Sequence, residues 1–183
     1  MVADGAPENV EDPEAQRTSK PGPRRAGAHR ARRLARVAAF QTLYEVDVAR
    51  HSPVAVLDRL AEAERLAPET VDYARELVAG VLRHRSTIDD LIRRAAPLWP
   101  LEQLSPVERN LLRLGIFETL YMRDRVPIKA AINEAVELAK LFGTDTTPRF
   151  VNGVLGRIVA EEIPEEKDGV SQGEAGHLEV PPP

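Results

Sequence analysis

The chain has 183 residues, 25 lysines and arginines against 29 aspartates and glutamates, and a formal net charge of −4. It contains no cysteine, which excludes disulfides, thiolate metal sites and cysteine nucleophiles. Its apolar runs are well short of the roughly 18 residues that a membrane-spanning helix needs. No apolar segment of signal-peptide type follows the basic N-terminal segment, so we expect a cytoplasmic protein without a membrane association.

The net charge conceals three stretches of opposite sign. Residues 1–16 carry five acidic residues and no basic one, whereas residues 17–44 carry eight basic residues and no acidic one. Residues 161–183 carry seven acidic residues and one lysine. A local cationic segment can bind nucleic acid even in an acidic protein, so the global charge does not exclude that partner.

Both ends of the chain are rich in proline, glycine and charge, and poor in large apolar side chains. Such segments cannot bury enough surface to offset the entropy lost on ordering. We therefore expect a disordered extension over residues 1–27, one helical domain over residues 28–163, and a disordered acidic tail over residues 164–183.

Apolar residues recur at helical spacing through the central part, and no segment alternates with a period of two. Serine or threonine followed by proline, or proline alone, marks several helix starts. The predicted helices are 30–49, 53–66, 68–82, 86 or 87 to 96, 106–121, 128–142 and 147–162. The sequence therefore predicts an all-α fold of about seven helices.

Individual residues carry local predictions. Ser105 and Glu108 have the spacing of a capping box, and Ser52 precedes proline as a helix N-cap. Gly143 stands just beyond a helix as its C′ residue, and Gly153 inside the last helix predicts a close approach of another helix. Asn133 is expected either to bond a neighbouring helix or to face solvent.

Motifs for catalysis are missing from the sequence. It has no glycine-rich phosphate loop, no H-E-x-x-H and no nucleophile elbow, and its four histidines lack metal-ligand spacing. We therefore expect a protein that is not an enzyme and that needs no metal or cofactor.

The basic segment is dominated by arginine. Such segments commonly order on RNA, and the planar guanidinium suits bidentate contact with phosphate. The alternative is a solvated run that balances the acidic ends. The arginines at or near the start of the first helix are Arg24, Arg25, Arg30, Arg32, Arg33 and Arg36.

Longer motifs add a family resemblance. Residues 126–140 read VPIKAAINEAVELAK, FG follows at 142–143, and residues 149–156 read RFVNGVLG. Together with AFQTLY at 39–44, these motifs resemble the NusB transcription antitermination family. The resemblance covers about residues 29–160.

The resemblance implies two packed three-helix subdomains, with an added N-terminal helix arrangement that carries the arginine-rich motif. It also implies a factor without enzymatic turnover that binds the boxA element of nascent ribosomal RNA together with NusE, a small-subunit ribosomal protein. Such a factor supports processive elongation by the RNA polymerase elongation complex. Some members of the family form homodimers.

Family positions carried over to this chain give a set of RNA-binding residues. Phe150 offers a ring for base stacking and Tyr44 a ring with a hydroxyl, although both also fit an apolar core stripe. Glu108 is equally explained by the capping box, and Thr146 stands where many members have an acid. The complete set is Arg30, Arg32, Arg33, Arg36, Tyr44, Glu108, Asp145 and Phe150.

The sequence is also compatible with one alternative function. The chain would be a helical RNA-binding or adaptor module without an antitermination role, related to the NusB-like domain of ribosomal RNA cytosine methyltransferases. A structural adaptor predicts no salt-dependent RNA binding.

Overall fold

The structure, a computed structural model, describes residues 23–163, and these form seven α-helices without a strand. The helices are α1 Pro23–Ala49, α2 Pro53–Ala63, α3 Pro68–Arg83, α4 Arg85–Ala95, α5 Pro106–Tyr121, α6 Ile128–Phe142 and α7 Thr147–Glu162. The all-α prediction is confirmed. Helix α1 begins at Pro23, before the predicted domain start at residue 28. The remaining predictions for the two ends, residues 1–22 and 164–183, lie outside the described residues.

Six of the seven helices form two packed sets of three, and α4 lies between the sets in the chain. Helices α1, α2 and α3 pack on one another, as do α5, α6 and α7. Helix α5 also contacts α1, α3 and α4, and every residue from Asn110 to Thr119 is buried. The packing within these two sets of helices confirms the predicted pair of three-helix subdomains. None of these helices is long and apolar enough to cross a membrane.

The start of α5 shows the predicted capping box. The Ser105 hydroxyl accepts a hydrogen bond from the Glu108 backbone N–H, and the Glu108 carboxylate accepts one from the Ser105 backbone N–H. These reciprocal bonds satisfy two donors that a helix start would otherwise leave unpaired. Ser52 occupies the N-cap position of α2 as predicted, but its side chain makes no capping bond.

Glycines mark close approaches, though not where the sequence suggested. A Cβ added at Gly80 would lie 1.9 Å from Phe117 Cζ, whereas one added at Gly153 would meet nothing within 4 Å. The close approach predicted at Gly153 is therefore wrong, because this residue faces open space. Gly143 caps α6 in an extended conformation with φ −98°, so it is not in the left-handed region of a C′ glycine. Its missing side chain instead leaves room for Thr147, whose Cβ would be 2.5 Å from an added Cβ.

Asn133 on α6 is exposed. This favours the second of its two predicted positions, solvent contact, over a bond to a neighbouring helix.

We predict opposite effects of adding one methyl group at two helical glycines. Gly80→Ala forces the Phe117 ring to move and should lower the free energy of unfolding by about 1–3 kcal/mol. Gly153→Ala adds helix propensity in open space and should raise it by about 0.5–1 kcal/mol. Urea unfolding followed by circular dichroism measures both. Equal stability of the two variants would contradict the packing described for Gly80.

Candidate nucleic-acid interface

The N-terminal half of α1 exposes three arginines between α3 and α6. Arg30 and Arg32 are exposed, and the Arg32 guanidinium carbon lies 6.0 Å from the centre of the Tyr73 ring on α3. Arg33 emerges on the other side, where its Nη2 is 3.8 Å from a carboxylate oxygen of Glu137 on α6. These three side chains are accessible to a phosphate.

Arg36 is different, because the structure buries this side chain, which the family resemblance placed among the RNA-binding residues. Its residue is only 3% exposed. Its Nε lies 3.0 and 2.9 Å from the two carboxylate oxygens of Glu118, and its Nη2 donates a further bond of 2.9 Å to Glu118 Oε1. A guanidinium buried and paired in this way cannot reach RNA without breaking the core. Arg36 therefore anchors α1 to α5.

Further polar contacts surround this buried pair. The Tyr73 hydroxyl donates a hydrogen bond of 2.8 Å to Glu118, and burial with the Glu118 charge raises the pKa of Tyr73 well above its ordinary value. Burial alone would lower the pKa of Arg36, but the hydrogen bonds and charge of Glu118 outweigh burial and raise it. Arg36 Nη1 also lies 3.4 Å from Glu134 Oε2, a buried oxygen with no hydrogen bond. His29 Nε2 is 3.0 Å from the other oxygen of Glu134, so α1 is tied to α6 as well.

A second polar network fixes the C-terminal half of α1. Asp47 Oδ2 accepts bonds of 2.7 Å from Arg109 and 3.1 Å from Asn110, and Arg113 bridges Asp47 to Asp89 of α4. Burial would raise the pKa of Asp47, but these hydrogen bonds and arginine charges outweigh burial and lower it. The network lines a polar cavity of about 410 Å³, in which Asp47 and Asp89 are both paired with arginines. We regard it as a structural tie between α1, α4 and α5.

Between the two networks, α1 presents aromatic rings. Phe40 is buried with its ring centre 4.7 Å from that of Phe142, and Tyr44, one turn further, is 38% exposed. Both face an apolar groove of about 380 Å³ that α2, α5 and α6 complete. Tyr44 is thus available for contact, as predicted from the family resemblance. Phe142 was not among the predicted site residues, although its position in the FG motif at the end of α6 was a usable signal.

Phe150 lies on α7, beyond the end of α6. It is half-buried and lines a notch of about 370 Å³ together with residues of α4 and α7. Its ring meets the ring of Trp99 edge-on, with centres 6.2 Å apart and an interplanar angle of 68°. Sequence reasoning missed Trp99, since nothing in the spacing of the connector between α4 and α5 relates it to α7.

The two acidic candidates are placed differently. Asp145 is exposed in the loop between α6 and α7, where the Thr144 hydroxyl lies 3.2 Å from that of Thr146 and 3.1 Å from that of Thr147. Glu108 is half-buried and its Oε2 already accepts both the backbone N–H and the hydroxyl of Ser105. Asp145 is therefore the freer carboxylate of the two.

Helix α6 connects these features. Its middle contacts the arginine-bearing part of α1, its end packs Phe142 on Phe40, and the loop with Asp145 then leads into α7 and Phe150. The predicted site residues other than Arg36 and Glu108 therefore lie on α1, which contacts α6, and on the loop and helix that follow α6. They are Arg30, Arg32, Arg33, Tyr44, Asp145 and Phe150. Arg36 is buried in the core. Among the described residues, no group of three or more histidines, aspartates or glutamates could hold a metal ion.

Fold and surface define an all-α protein with exposed arginines and aromatic rings along neighbouring helices. Residues 33–160 match the model of the NusB family. A transcription antitermination protein NusB from Roseiflexus sp. (strain RS-1) is 47% identical over 130 residues, which are 70% of this chain and 92% of that protein. This chain belongs to the NusB family.

Solved structures agree with this assignment. T. maritima NusB superimposes with a TM-score of 0.66 at 37% identity, covering 71% of this chain and 91% of that one. A crystal structure of the antitermination factors NusB and NusE in complex with dsRNA gives a TM-score of 0.66 at 30% identity, covering 72% and 98%.

We predict that Arg36 and Arg32 differ sharply in their contribution to stability. Arg36→Met leaves Glu118 buried without a cation and should lower the free energy of unfolding by about 3–5 kcal/mol. Arg32→Met, at an exposed position, should change it by no more than about 0.5 kcal/mol. Urea unfolding of both variants measures the difference.

The double variant Arg36→Met/Glu118→Met provides the control. Replacing both members of a buried pair by apolar side chains removes the unpaired charge, so it should recover part of the stability lost in Arg36→Met. If Arg36→Met is as stable as Arg32→Met, the anchoring role assigned to Arg36 is wrong.

Proposed function

We propose that this chain is a transcription antitermination factor that binds boxA-type single-stranded RNA of nascent ribosomal transcripts together with NusE. It acts by binding, not by catalysis, and supports processive elongation by RNA polymerase. The observation that carries the proposal is the set of accessible arginines and the Tyr44 ring on α1, together with the half-buried Phe150 ring on α7. The names of its relatives as transcription antitermination proteins support the same role.

Phosphates and bases are bound by different parts of this surface. Arg30, Arg32 and Arg33 face solvent and supply charge to the RNA backbone. Tyr44 and Phe150 supply rings on which unpaired bases stack, each worth about 1–3 kcal/mol. A base inside a duplex cannot stack on a side chain, so these rings favour a single strand.

Acidic residues on the proposed RNA-binding surface add selectivity for bases. A carboxylate accepts hydrogen bonds from exocyclic amines but repels phosphate. Asp145, exposed in the loop before α7, is suited to this role. Glu108 can serve in it only through the oxygen that its capping box leaves free.

NusE and the polymerase complete the proposal. A NusB relative has been solved with NusE in complex with dsRNA, which supports a joint surface for NusE and RNA in this chain. The contact with the polymerase elongation complex is inferred from the named role of the relatives, and a cytoplasmic location follows from that role. A homodimer would be an alternative use of the same exposed surface, and sedimentation of the protein alone and with NusE distinguishes the two.

We predict a salt-dependent affinity to which the exposed arginines contribute. On single-stranded RNA each phosphate contact adds about −0.7 to the slope of log K against log salt, so Arg32→Ala/Arg33→Ala should reduce the slope by about 1.4. Fluorescence anisotropy of labelled boxA-like and scrambled RNA, with and without NusE, measures the slope at several salt concentrations. The boxA-like RNA should bind more tightly, and NusE should increase that preference.

Arg75→Ala is the matched control. Arg75 is equally exposed but lies on α3, paired with Asp72 and Asp58 away from the aromatic groove. This variant should bind RNA like the parent protein. If the parent shows no salt-dependent binding, the chain is a helical adaptor instead. If the double variant keeps the parent slope, Arg32 and Arg33 do not contact phosphate.

A further inference from the structure

We infer that Trp99 and Arg149 form a subsite next to Phe150 that holds one unpaired RNA base and its phosphate. The inference rests on the proposed function, since it extends the same single-strand surface. It assigns to these two residues a role that their sequence positions did not suggest.

The exposure of Trp99 is the first observation. The residue is 59% exposed, and the neighbouring Leu98 is 88% exposed. Neighbouring apolar side chains that are exposed together form a patch, and exposed apolar patches commonly mark binding sites. The exposure does not come from a loosely held connector, because the Trp99 backbone N–H bonds to the Ala96 carbonyl at 2.9 Å and both Ala96 and Leu101 are buried.

The geometry of the two rings is the second observation. The Trp99 ring lies edge-on against Phe150, which itself lines the notch of about 370 Å³. Gly153 leaves this notch open, since no atom lies within 4 Å of the place a Cβ would take, and buried Val154 forms its apolar floor. A flat base can stack on one ring while its edge meets the other.

Charge is the third observation and selects the occupant. Arg149 lines the same notch and is exposed. Within residues 23–163 it has no ion-pair partner, unlike Arg94 and Arg157, which pair with Glu162 and Glu161. A cation without a neighbouring acid partner beside two aromatic rings matches a nucleotide, which is both aromatic and anionic. An apolar protein segment would gain nothing from the cation.

Trp99 is the only tryptophan in the chain, so its emission reports directly on the subsite. Single-stranded boxA-like RNA is titrated into the full-length protein while intrinsic emission is recorded, and binding of labelled RNA is followed in parallel by anisotropy. Stacking should quench the emission at saturation and protect the ring from acrylamide. A duplex of the same sequence should not do so.

Substitutions of Trp99 distinguish aromatic stacking from simple apolar contact as the source of RNA affinity. Trp99→Leu should weaken binding about tenfold, whereas Trp99→Phe, which retains a ring, should retain most of the affinity. Arg149→Ala should reduce the salt slope by about 0.7. Leu98→Ala, which removes the even more exposed apolar neighbour, is the control and should bind like the parent; circular dichroism verifies that every variant folds.

The outcomes distinguish this subsite from the proposed function. If labelled RNA binds but emission stays unchanged and Trp99→Leu binds like the parent, the subsite is wrong and RNA binding elsewhere on the surface stands. If emission responds to NusE in the absence of RNA and not to RNA, the patch is a protein contact and the inference is overturned. If no RNA binds to any of the proteins, the proposed function fails and the subsite with it.

Discussion

The buried ion pair between Arg36 and Glu118 determines how α1 lies on the rest of the protein. Glu118 is buried near the C-terminal end of the central helix α5, where an unpaired carboxylate would be strongly unfavourable, so α1 must turn Arg36 inward. Residues three and four positions earlier on a helix flank that inward direction on either side. Arg33 therefore emerges toward α6 and Arg32 toward α3, as their contacts with Glu137 and Tyr73 show. One buried charge thus orients the exposed ones.

The same helix also sets the distance between cations and rings. Its N-terminal half is fixed through Arg36 and its C-terminal half through Asp47, which Arg109 and Arg113 hold in a second network. An α-helix rises 1.5 Å per residue, so the backbones of Arg33 and Tyr44 are separated by about 16 Å. A binding surface on a rigid helix loses little conformational entropy when a ligand arrives. Flexible chain between the two groups would weaken binding even if every contact were kept.

The sequence predicted those features that depend on neighbouring residues. The capping box of Ser105, the prolines at helix starts and the apolar periods need only local chemistry, and the seven helices follow from them. Features that depend on tertiary packing could not be read in this way. Gly80 and Gly153 are both glycines within predicted helices, yet only Gly80 receives a ring from another helix. The burial of Arg36 and the meeting of Trp99 with Phe150 likewise join residues far apart in the chain.

Burial also explains why arginines in one short run differ in function. The contact of Arg33 with Glu137 is long and exposed, and such surface pairs contribute only about 0–1 kcal/mol. A phosphate can therefore replace Glu137 at little cost. Arg36 makes shorter hydrogen bonds to a carboxylate that has no access to water, so no phosphate can compete for it. The family motif places both residues in one arginine-rich segment, but the depth of each guanidinium decides which one stays accessible to a ligand and which one holds the helix.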